Sequence, residues 1–133
     1  MRVIVVNSGS SSIKYESFAL AGLSAVANGT LERIGTADSR LKHHWLTADG
    51  NWEEVVETRP VGDHRAGFSF ILEVSGRTRP RSPAPEIFAV GHRVVHGGEN
   101  FREPAIIDDA ALAAMEELIP LAPLHNPANV TGI

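Results

Sequence analysis

The sequence predicts an α/β fold built on a mixed sheet, and three observations lead to this prediction. Residues 3–6 and 87–90 are short runs that are apolar at every position, as in buried parallel strands covered on both faces. Between them, the pair Asp49-Gly50 separates two strand-like runs, which is typical of an antiparallel hairpin. Asp63 and Asp108 each precede apolar residues at helical spacing.

Length and composition suit one globular domain. The chain has 133 residues, of which 43% are hydrophobic. Its net charge of −4 argues against general attraction to nucleic acid or membranes, and the lack of cysteine excludes disulfides and cysteine-based metal sites. No apolar run approaches the roughly 20 residues that span a bilayer, and the N-terminal run is too short and too β-branched for a signal peptide. We therefore expect a cytoplasmic protein.

The first strand leads into a small polar turn and then into a second strand. Residues 8–11 have the sequence SGSS, a composition typical of tight turns. If the second strand begins near Ser10, then Ser10, Ser12 and Lys14 line one of its faces, because side chains two apart share a face. Hydroxyls, an ammonium group and turn amides suit an anion such as phosphate, with Asn7 at the end of the first strand. The alternative is an ordinary serine-rich turn with a surface lysine.

The next elements follow from turn signals and apolar periodicity. Residues 25–34 alternate partly and predict a third strand, and residues 40–47 and 52–58 predict the two strands of the hairpin. Asp63 is expected to cap a helix that ends near Ser75, although Gly67 weakens it. The apolar face of this helix would consist of Ala66, Phe70, Ile71 and Val74.

The second half begins with an arginine- and proline-rich loop at residues 76–85, which is either a solvated surface or an arm that binds phosphate. The strand at 87–90 follows, and residues 104–107 suggest another short extended piece. Asp108 then precedes a helix whose apolar side would be Leu112, Met115, Leu118 and Ile119.

The C-terminal end suggests one more helix after a connector at residues 121–125. Asn126 and Pro127 are typical of an N-cap and a first helical position. The chain stops at Ile133, about two turns later. We expect the chain to be a fragment or an isolated domain of a longer protein, and the alternative is a naturally short final helix.

Arg93 is the strongest candidate for anion binding after the first turn. It lies in residues 91–98, GHRVVHGG, directly after the second apolar strand. A planar guanidinium binds carboxylate or phosphoryl groups bidentately, and glycines let a ligand approach the backbone. The alternative is an arginine satisfied by a structural acid. His92 and His96 are not neighbours on an extended segment, so zinc is not expected.

Other motifs narrow the chemistry. His125 precedes the predicted final helix, where it contacts either a ligand or the nearby backbone. The sequence has no G-x-x-x-x-G-K-[ST] loop, no G-x-G-x-x-G fingerprint and no G-x-S-x-G elbow. It therefore offers no support for a P-loop, a dinucleotide site of the Rossmann type or a hydrolase nucleophile.

Three segments, in order along the chain, resemble the acetate kinase family. Residues 5–15, VVNSGSSSIKY, resemble its N-terminal signature, residues 90–98, VGHRVVHGG, its second signature, and residues 121–129, LAPLHNPAN, a third segment. The resemblance implies the acetate and sugar kinase, Hsp70 and actin fold, a ribonuclease H-like domain with a mixed sheet, early antiparallel strands and helices on the faces. It also implies that residues 1–133 are the first of two domains flanking a nucleotide cleft, with the second domain absent.

The resemblance further implies an activity, which is reversible phosphoryl transfer from ATP to acetate. The products are acetyl phosphate and ADP, and Mg²⁺ is the cofactor. Asn7 matches the magnesium and phosphate site. Ser10, Ser12 and Lys14 match the loop that handles the ATP phosphates.

Matches to the acetate side of the site come from the second half. Arg93 matches the arginine that holds the acetate carboxylate or the transferring phosphoryl group. Val95 and Leu124 match walls of the methyl pocket, and His125 matches a supporting active-site histidine.

Two function classes remain from the sequence. The first is an acyl-phosphate kinase domain acting on acetate, propionate or butyrate, and the second is a non-catalytic nucleotide-binding module on an actin- or Hsp70-like scaffold. By resemblance, the catalytic aspartate and the adenosine-binding segments would lie beyond Ile133. We therefore expect this chain alone to be inactive and the whole protein to be a homodimer.

Overall fold

The structure of the chain, a computed structural model, describes residues 1–78, 87–94, 103–117, 131 and 133. These residues form a mixed α/β arrangement, as predicted. In chain order the elements are β1 Arg2–Ser8, β2 Ile13–Ala19, β3 Ser24–Glu32, β4 Thr36–Leu46, β5 Trp52–Val61, α1 His64–Arg77, β6 Ile87–His92 and α2 Asp109–Glu117.

These six strands pair in one sheet, in the order β5-β4-β3-β2-β1-β6. Neighbours among β1 to β5 are antiparallel, while β6 runs parallel to β1. The predicted direction of both apolar strands is therefore confirmed. Because β1 and β6 are parallel, their C-terminal ends lie side by side, where ligands commonly bind in α/β sheets.

Glycines with positive φ lie in the turns on both sides of the long strand β4. Gly35, with φ of +91°, directly precedes it, and Gly50, with φ of +80°, lies in the turn that leads to β5. Glycine adopts this left-handed region without steric cost. The predicted hairpin at Asp49-Gly50 is confirmed.

Two details of the strands differ from the predictions. Val5 and Val90 are 46% and 57% exposed, so among the described residues neither apolar run is covered on both faces. Val5 alternates with buried Val6 and so lies on the face away from α1, where no described helix packs, whereas Val90 lies on the α1 face but α1 packs nearer β5. The second strand begins at Ile13 and not near Ser10, because the residues before Ile13 form the reversal itself.

Helix α1 begins where predicted. The Asp63 side chain accepts a hydrogen bond from the Ala66 amide at 2.8 Å, which satisfies a donor of the first turn. Ala66 is exposed, however, and Gly67 takes its place on the buried face. A Cβ at Gly67 would lie 3.0 Å from Leu31 Cδ2, so the glycine lets α1 approach the sheet closely.

The core lies between α1 and one face of the sheet. Its central side chains, Ile13, Leu31, Leu41 and Val74, are at most 1% exposed. Burying an apolar side chain of this size stabilises a protein by about 1.5–3 kcal/mol, so this layer is a main source of stability.

Helix α2 also begins at its predicted cap, where the Asp108 carboxylate accepts from the Ala111 amide at 2.7 Å. Met115 is buried, as expected of its apolar side. Residues 104–107 form neither helix nor strand. None of the helices in the described part of the chain is long and apolar enough to cross a membrane. The predictions for Leu118, Ile119, residues 121–130 and most of the loop at 76–85 lie outside the described residues.

Candidate functional site

A tight reversal joins β1 to β2. The Gly9 N–H donates to the Ser12 carbonyl at 2.8 Å. The Ser12 hydroxyl lies over Gly9, since a Cβ there would come within 2.8 Å of it. Ser10 is exposed at the tip. Because β2 starts only at Ile13, Ser10 and Ser12 belong to the reversal, and of the three predicted residues Lys14 alone lies on the strand.

Three polar residues lie side by side where three neighbouring strands begin or end, with Arg93 directly after β6. Asn7 of β1 pairs with Lys14 of β2. On the other side of β1, Val6 pairs with His92 of β6, and the Arg93 amide donates to the Val6 carbonyl at 2.9 Å. Arg93 therefore continues the register beside Asn7. Side chains in register share a face and alternate along each strand, so Lys14, Asn7 and Arg93 share the face opposite to buried Val6. We call these three residues the polar row.

The polar row carries two exposed cations, Lys14 and Arg93. In the described part of the chain neither forms an ion pair, whereas Arg59 and Arg77 bind the Glu57 carboxylate at 3.0 and 2.7 Å. No acidic side chain among the described residues pairs with Arg93, so these residues do not support the alternative of a structural ion pair. An arginine fork beside an ammonium group suits carboxylate and phosphoryl oxygens.

A side-chain hydrogen bond of His92 links the end of β6 to β1, and this contact was not predicted from the sequence. Its Nε2 lies 3.2 Å from the hydroxyl of buried Ser8, and its Nδ1 lies 2.7 Å from the Arg93 carbonyl. Since the carbonyl can only accept, Nδ1 carries the proton, and in the neutral ring Ser8 donates to Nε2. Burial lowers the pKa of His92, which favours this neutral form. The contact fixes the backbone from which the Arg93 side chain projects.

The alternation of buried and exposed side chains along β1 was the sequence feature that could have indicated this contact. Ser8 stands two residues after Val6 and so shares its buried face. A buried hydroxyl at the end of a strand needs a hydrogen-bond partner, which the sequence alone does not identify.

The opposite face of the sheet holds a second polar group that the sequence analysis missed. The Tyr15 hydroxyl lies 2.5 Å from His43 Nδ1, and His43 Nε2 lies 3.1 Å from the Thr78 hydroxyl. His43 is 2% exposed and stacks between Tyr15 and Trp45. These residues line a mainly apolar cavity of about 260 Å³ against α1. The cavity lies across the sheet from the polar row and is separate from it.

The oxygen donors next to the polar row decide what kind of metal would fit. Among the described residues, no group of three His, Cys, Asp or Glu side chains could hold a metal ion. Asn7 offers an amide oxygen, and Ser10 and Ser12 offer hydroxyls. Mg²⁺ is commonly bound by few protein oxygens together with substrate phosphates and water. The residues present therefore fit an ion that arrives with a nucleotide, but not one held by the protein alone.

The structure thus brings part of the predicted site together. Asn7, Lys14 and Arg93 share one face, and the reversal with Ser10 and Ser12 adjoins them. The remaining predicted site residues, Val95, Leu124 and His125, lie outside the described residues.

Strand order and direction define the class of protein. Antiparallel β1 to β5 with a parallel β6 beside β1 form an α/β domain of the acetate and sugar kinase, Hsp70 and actin type. The sequence model of the acetokinase family matches residues 2–133. The chain belongs to this family.

Individual relatives agree in sequence and in structure. An acetate kinase from Syntrophobacter fumaroxidans is 59% identical over 134 residues, which cover 100% of this chain and 33% of that protein. The crystal structure of Porphyromonas gingivalis acetate kinase has a TM-score of 0.84 at 41% identity and is matched over 98% of this chain and 32% of its own. A propionate kinase from Francisella tularensis has a TM-score of 0.79 at 29% identity, over the same shares. The chain spans about a third of the length of these relatives.

Proposed function

We propose that the chain is the first domain of a two-domain acetate kinase and that the polar row forms one wall of its phosphoryl-transfer cleft. The observation that carries the proposal is the row itself, in which two exposed cations and an amide lie side by side where β1 and β6 end and β2 begins. Membership of the acetokinase family supports the reaction, a reversible transfer from ATP to acetate that gives acetyl phosphate and ADP. The opposite wall would come from a second domain.

Each cation has a role that suits its chemistry. Lys14, with Ser10 and Ser12 of the reversal, would orient and neutralise the phosphates of ATP. Arg93 would hold the acetate carboxylate or the transferring phosphoryl group. Phosphoryl transfer needs positioning and charge neutralisation more than covalent chemistry, so cations fixed on paired strands are a large part of what this chain contributes.

Four further residues complete the proposed site. Val95 and Leu124 would line the pocket for the acetate methyl group, and His125 would support the transferring group. Asn7 would supply an oxygen ligand to Mg²⁺ bound with ATP. When bound, Mg²⁺ supplies neutralisation of phosphate charge.

The proposal includes a cellular setting. The whole protein would act in the cytoplasm as a homodimer, and its product, an activated acetyl group, would serve acetyl-CoA biosynthesis. Its partners would be ATP, ADP, acetate and acetyl phosphate. The net charge of −4 supports small-molecule partners over nucleic acid.

The test is an assay of the whole natural protein with ATP and acetate, in which acetyl phosphate is trapped as its hydroxamate. We expect Arg93→Ala to lower kcat/KM for acetate about 100- to 1,000-fold, because the variant loses a charge-assisted contact to the reacting groups. Arg40→Ala, at an exposed position of β4, is the matched control and should stay within about twofold. A whole protein that makes no acetyl phosphate, or equal activity of the two variants, would contradict the proposal.

Similarity to a propionate kinase favours a second candidate, a kinase of a longer acid. An apolar pocket discriminates one methylene by only about 1–3 kcal/mol. Values of kcat/KM for acetate, propionate and butyrate decide between the candidates, and we expect acetate to give the highest. A non-catalytic nucleotide-binding module would bind ATP and transfer nothing.

A further inference from the structure

His64 connects α1 to the reversal that carries Ser10 and Ser12. It is the first residue of α1 and is half-buried. Its Nε2 donates to the Gly9 carbonyl at 2.6 Å, although the two residues are 55 positions apart in the chain. A proton on Nε2 is present in one neutral tautomer and also in the imidazolium form. The contact therefore does not require a charged histidine.

The geometry of the peptide gives this contact a consequence for Ser10. The Gly9 carbonyl and the Ser10 N–H belong to one peptide plane, and in a trans peptide they point in opposite directions. The described residues have no cis peptide bond. A hydrogen bond that holds the Gly9 carbonyl towards α1 therefore turns the Ser10 N–H away from α1. Since α1 covers the face opposite to the polar row, the Ser10 N–H is turned towards the side of the row.

A second contact holds the same reversal from another element. The Ser11 carbonyl accepts from the Ile34 amide, in the turn before β4, at 2.9 Å. By the same geometry this bond fixes the direction of the Ser12 N–H. The amides of Ser10 and Ser12 are thus both set by groups outside the reversal, one of them on α1.

We propose that His64 is a positioning residue that holds the Ser10 amide in the orientation that receives the ATP phosphates, an inference that rests on the proposed kinase function. Backbone amides of a turn bind phosphate well when they are already oriented, because binding then requires no reorganisation. Without His64 the Gly9–Ser10 peptide loses its anchor, and the glycine permits other orientations. The effect should fall on ATP and not on acetate, since acetate is assigned to Arg93.

The test compares three variants of His64 in the whole natural protein. His64→Gln keeps an N–H donor at about the reach of Nε2, His64→Asn places the donor nearer the backbone, and His64→Phe keeps a ring without a donor. We expect the Phe and Asn variants to lower kcat/KM for ATP about 10- to 100-fold with KM for acetate unchanged, and the Gln variant to stay within about fivefold of the wild type. His44→Phe, on β4 and away from the reversal, is the matched control.

A readout that needs no catalysis separates this inference from the proposed function. In protein with isotope-labelled serine, the Ser10 amide resonance should shift on titration with ATP in the wild type and the Gln variant, and much less in the Phe variant. Thermal unfolding of each variant shows whether the fold is intact. If the wild type makes no acetyl phosphate, the kinase proposal fails and the titration still decides the role of His64.

Two results would overturn the inference. One is a Phe variant whose KM for ATP and Ser10 response equal those of the wild type. The other is a Gln variant that performs no better than the Phe variant, since rescue by a donor at the right reach is the expected signature. If the Phe variant does not fold, the comparison of Gln with Asn decides in the same way.

Discussion

Gly29 shows how a single residue without a side chain organises its neighbours. It pairs with Tyr15 of β2 on one side and with His43 of β4 on the other. A Cβ at this position would overlap the Tyr15 hydroxyl and the adjacent ring carbon. The missing side chain therefore lets Tyr15 lie across β3 and reach His43. Glycine is needed here because there is no room for a side chain, and not because the backbone adopts a positive φ.

We predict that Gly29→Ala lowers the free energy of unfolding by about 2–3 kcal/mol, because the added methyl displaces Tyr15 and breaks its hydrogen bond to His43. Urea denaturation of the purified protein measures this change. Gly76→Ala is the matched control, since its Cβ would enter open space on α1 and should stabilise the helix by up to about 1 kcal/mol. A Gly29→Ala variant as stable as the wild type would show that the core has room for this methyl group.

At the scale of elements, hydrogen bonds of the His43 side chain connect β4 to β2 and to the C-terminal end of α1. Its ring accepts from the Tyr15 hydroxyl through Nδ1 and donates to the Thr78 hydroxyl through Nε2, which matches the neutral tautomer protonated at Nε2. Burial, with a smaller effect of His44, lowers the pKa of His43 from 6.5 to about 4. Burial also raises the pKa of Tyr15, which keeps its hydroxyl a donor. Three elements are therefore joined by one group that must stay uncharged.

This arrangement predicts a pH-dependent stability. Between pH 6.5 and about 4 the unfolded chain binds a proton at His43 and the folded chain does not, so the free energy of unfolding should fall as the pH drops through this window. The loss has an upper bound of about 3 kcal/mol, and above pH ~7 His43 adds no slope. Denaturant titrations at several pH values measure it. The lowered pKa of His92 adds a slope of the same sign.

Two variants separate the contribution of His43 from that of other groups. His43→Gln should reduce the slope between about pH 6.5 and 4, whereas His44→Gln, at the next position and less buried, should largely keep it. Equal slopes in wild type and His43→Gln would mean that another group causes the pH dependence.

At the scale of the whole molecule, the polar row is open to solvent within the part of the chain that the structure describes. Lys14 and Arg93 are exposed, and the chain spans about a third of the length of its relatives. Phosphoryl transfer requires donor and acceptor to be held and shielded from water by both walls of a cleft. Under the proposed function, residues 1–133 form one wall of this cleft, which would supply charge but no enclosure.

We therefore predict that a polypeptide of residues 1–133 makes no detectable acetyl phosphate and binds ATP with a Kd of about 1 mM or weaker. Isothermal titration calorimetry and the hydroxamate assay measure the two properties, with the whole natural protein as the positive control. Appreciable turnover by residues 1–133 alone would show that the polar row is sufficient for catalysis and that no second wall is needed.

Local signals predicted much of the fold. The turn at Asp49-Gly50 and the caps at Asp63 and Asp108 act through neighbouring residues, so the sequence located them closely. Burial was predicted less well. The apolar runs at 3–6 and 87–90 correctly indicated strands, but the exposure of Val5 and Val90 depends on which parts of the two sheet faces are covered by helices.

In the candidate site, too, some features were predicted from the sequence and others were not. Residue type and position at strand ends made Asn7, Lys14 and Arg93 candidates, and the resemblance to the acetate kinase family favoured them over an ordinary turn and a structural arginine. The contacts of His64 with Gly9 and of His92 with Ser8 were not predicted. Each of them joins elements far apart in sequence, where no local pattern specifies the partner.

The sequence by itself determined most of the strands, the turn at Asp49-Gly50, the two helix caps and the family to which the chain belongs. The tertiary structure alone decided that β6 enters the sheet beside β1 in the register that aligns Arg93 with Asn7 and Lys14. The physical reason is that turns and caps are set by interactions within a few residues, whereas the register between β1 and β6 is set by hydrogen bonds and packing between segments separated by most of the chain.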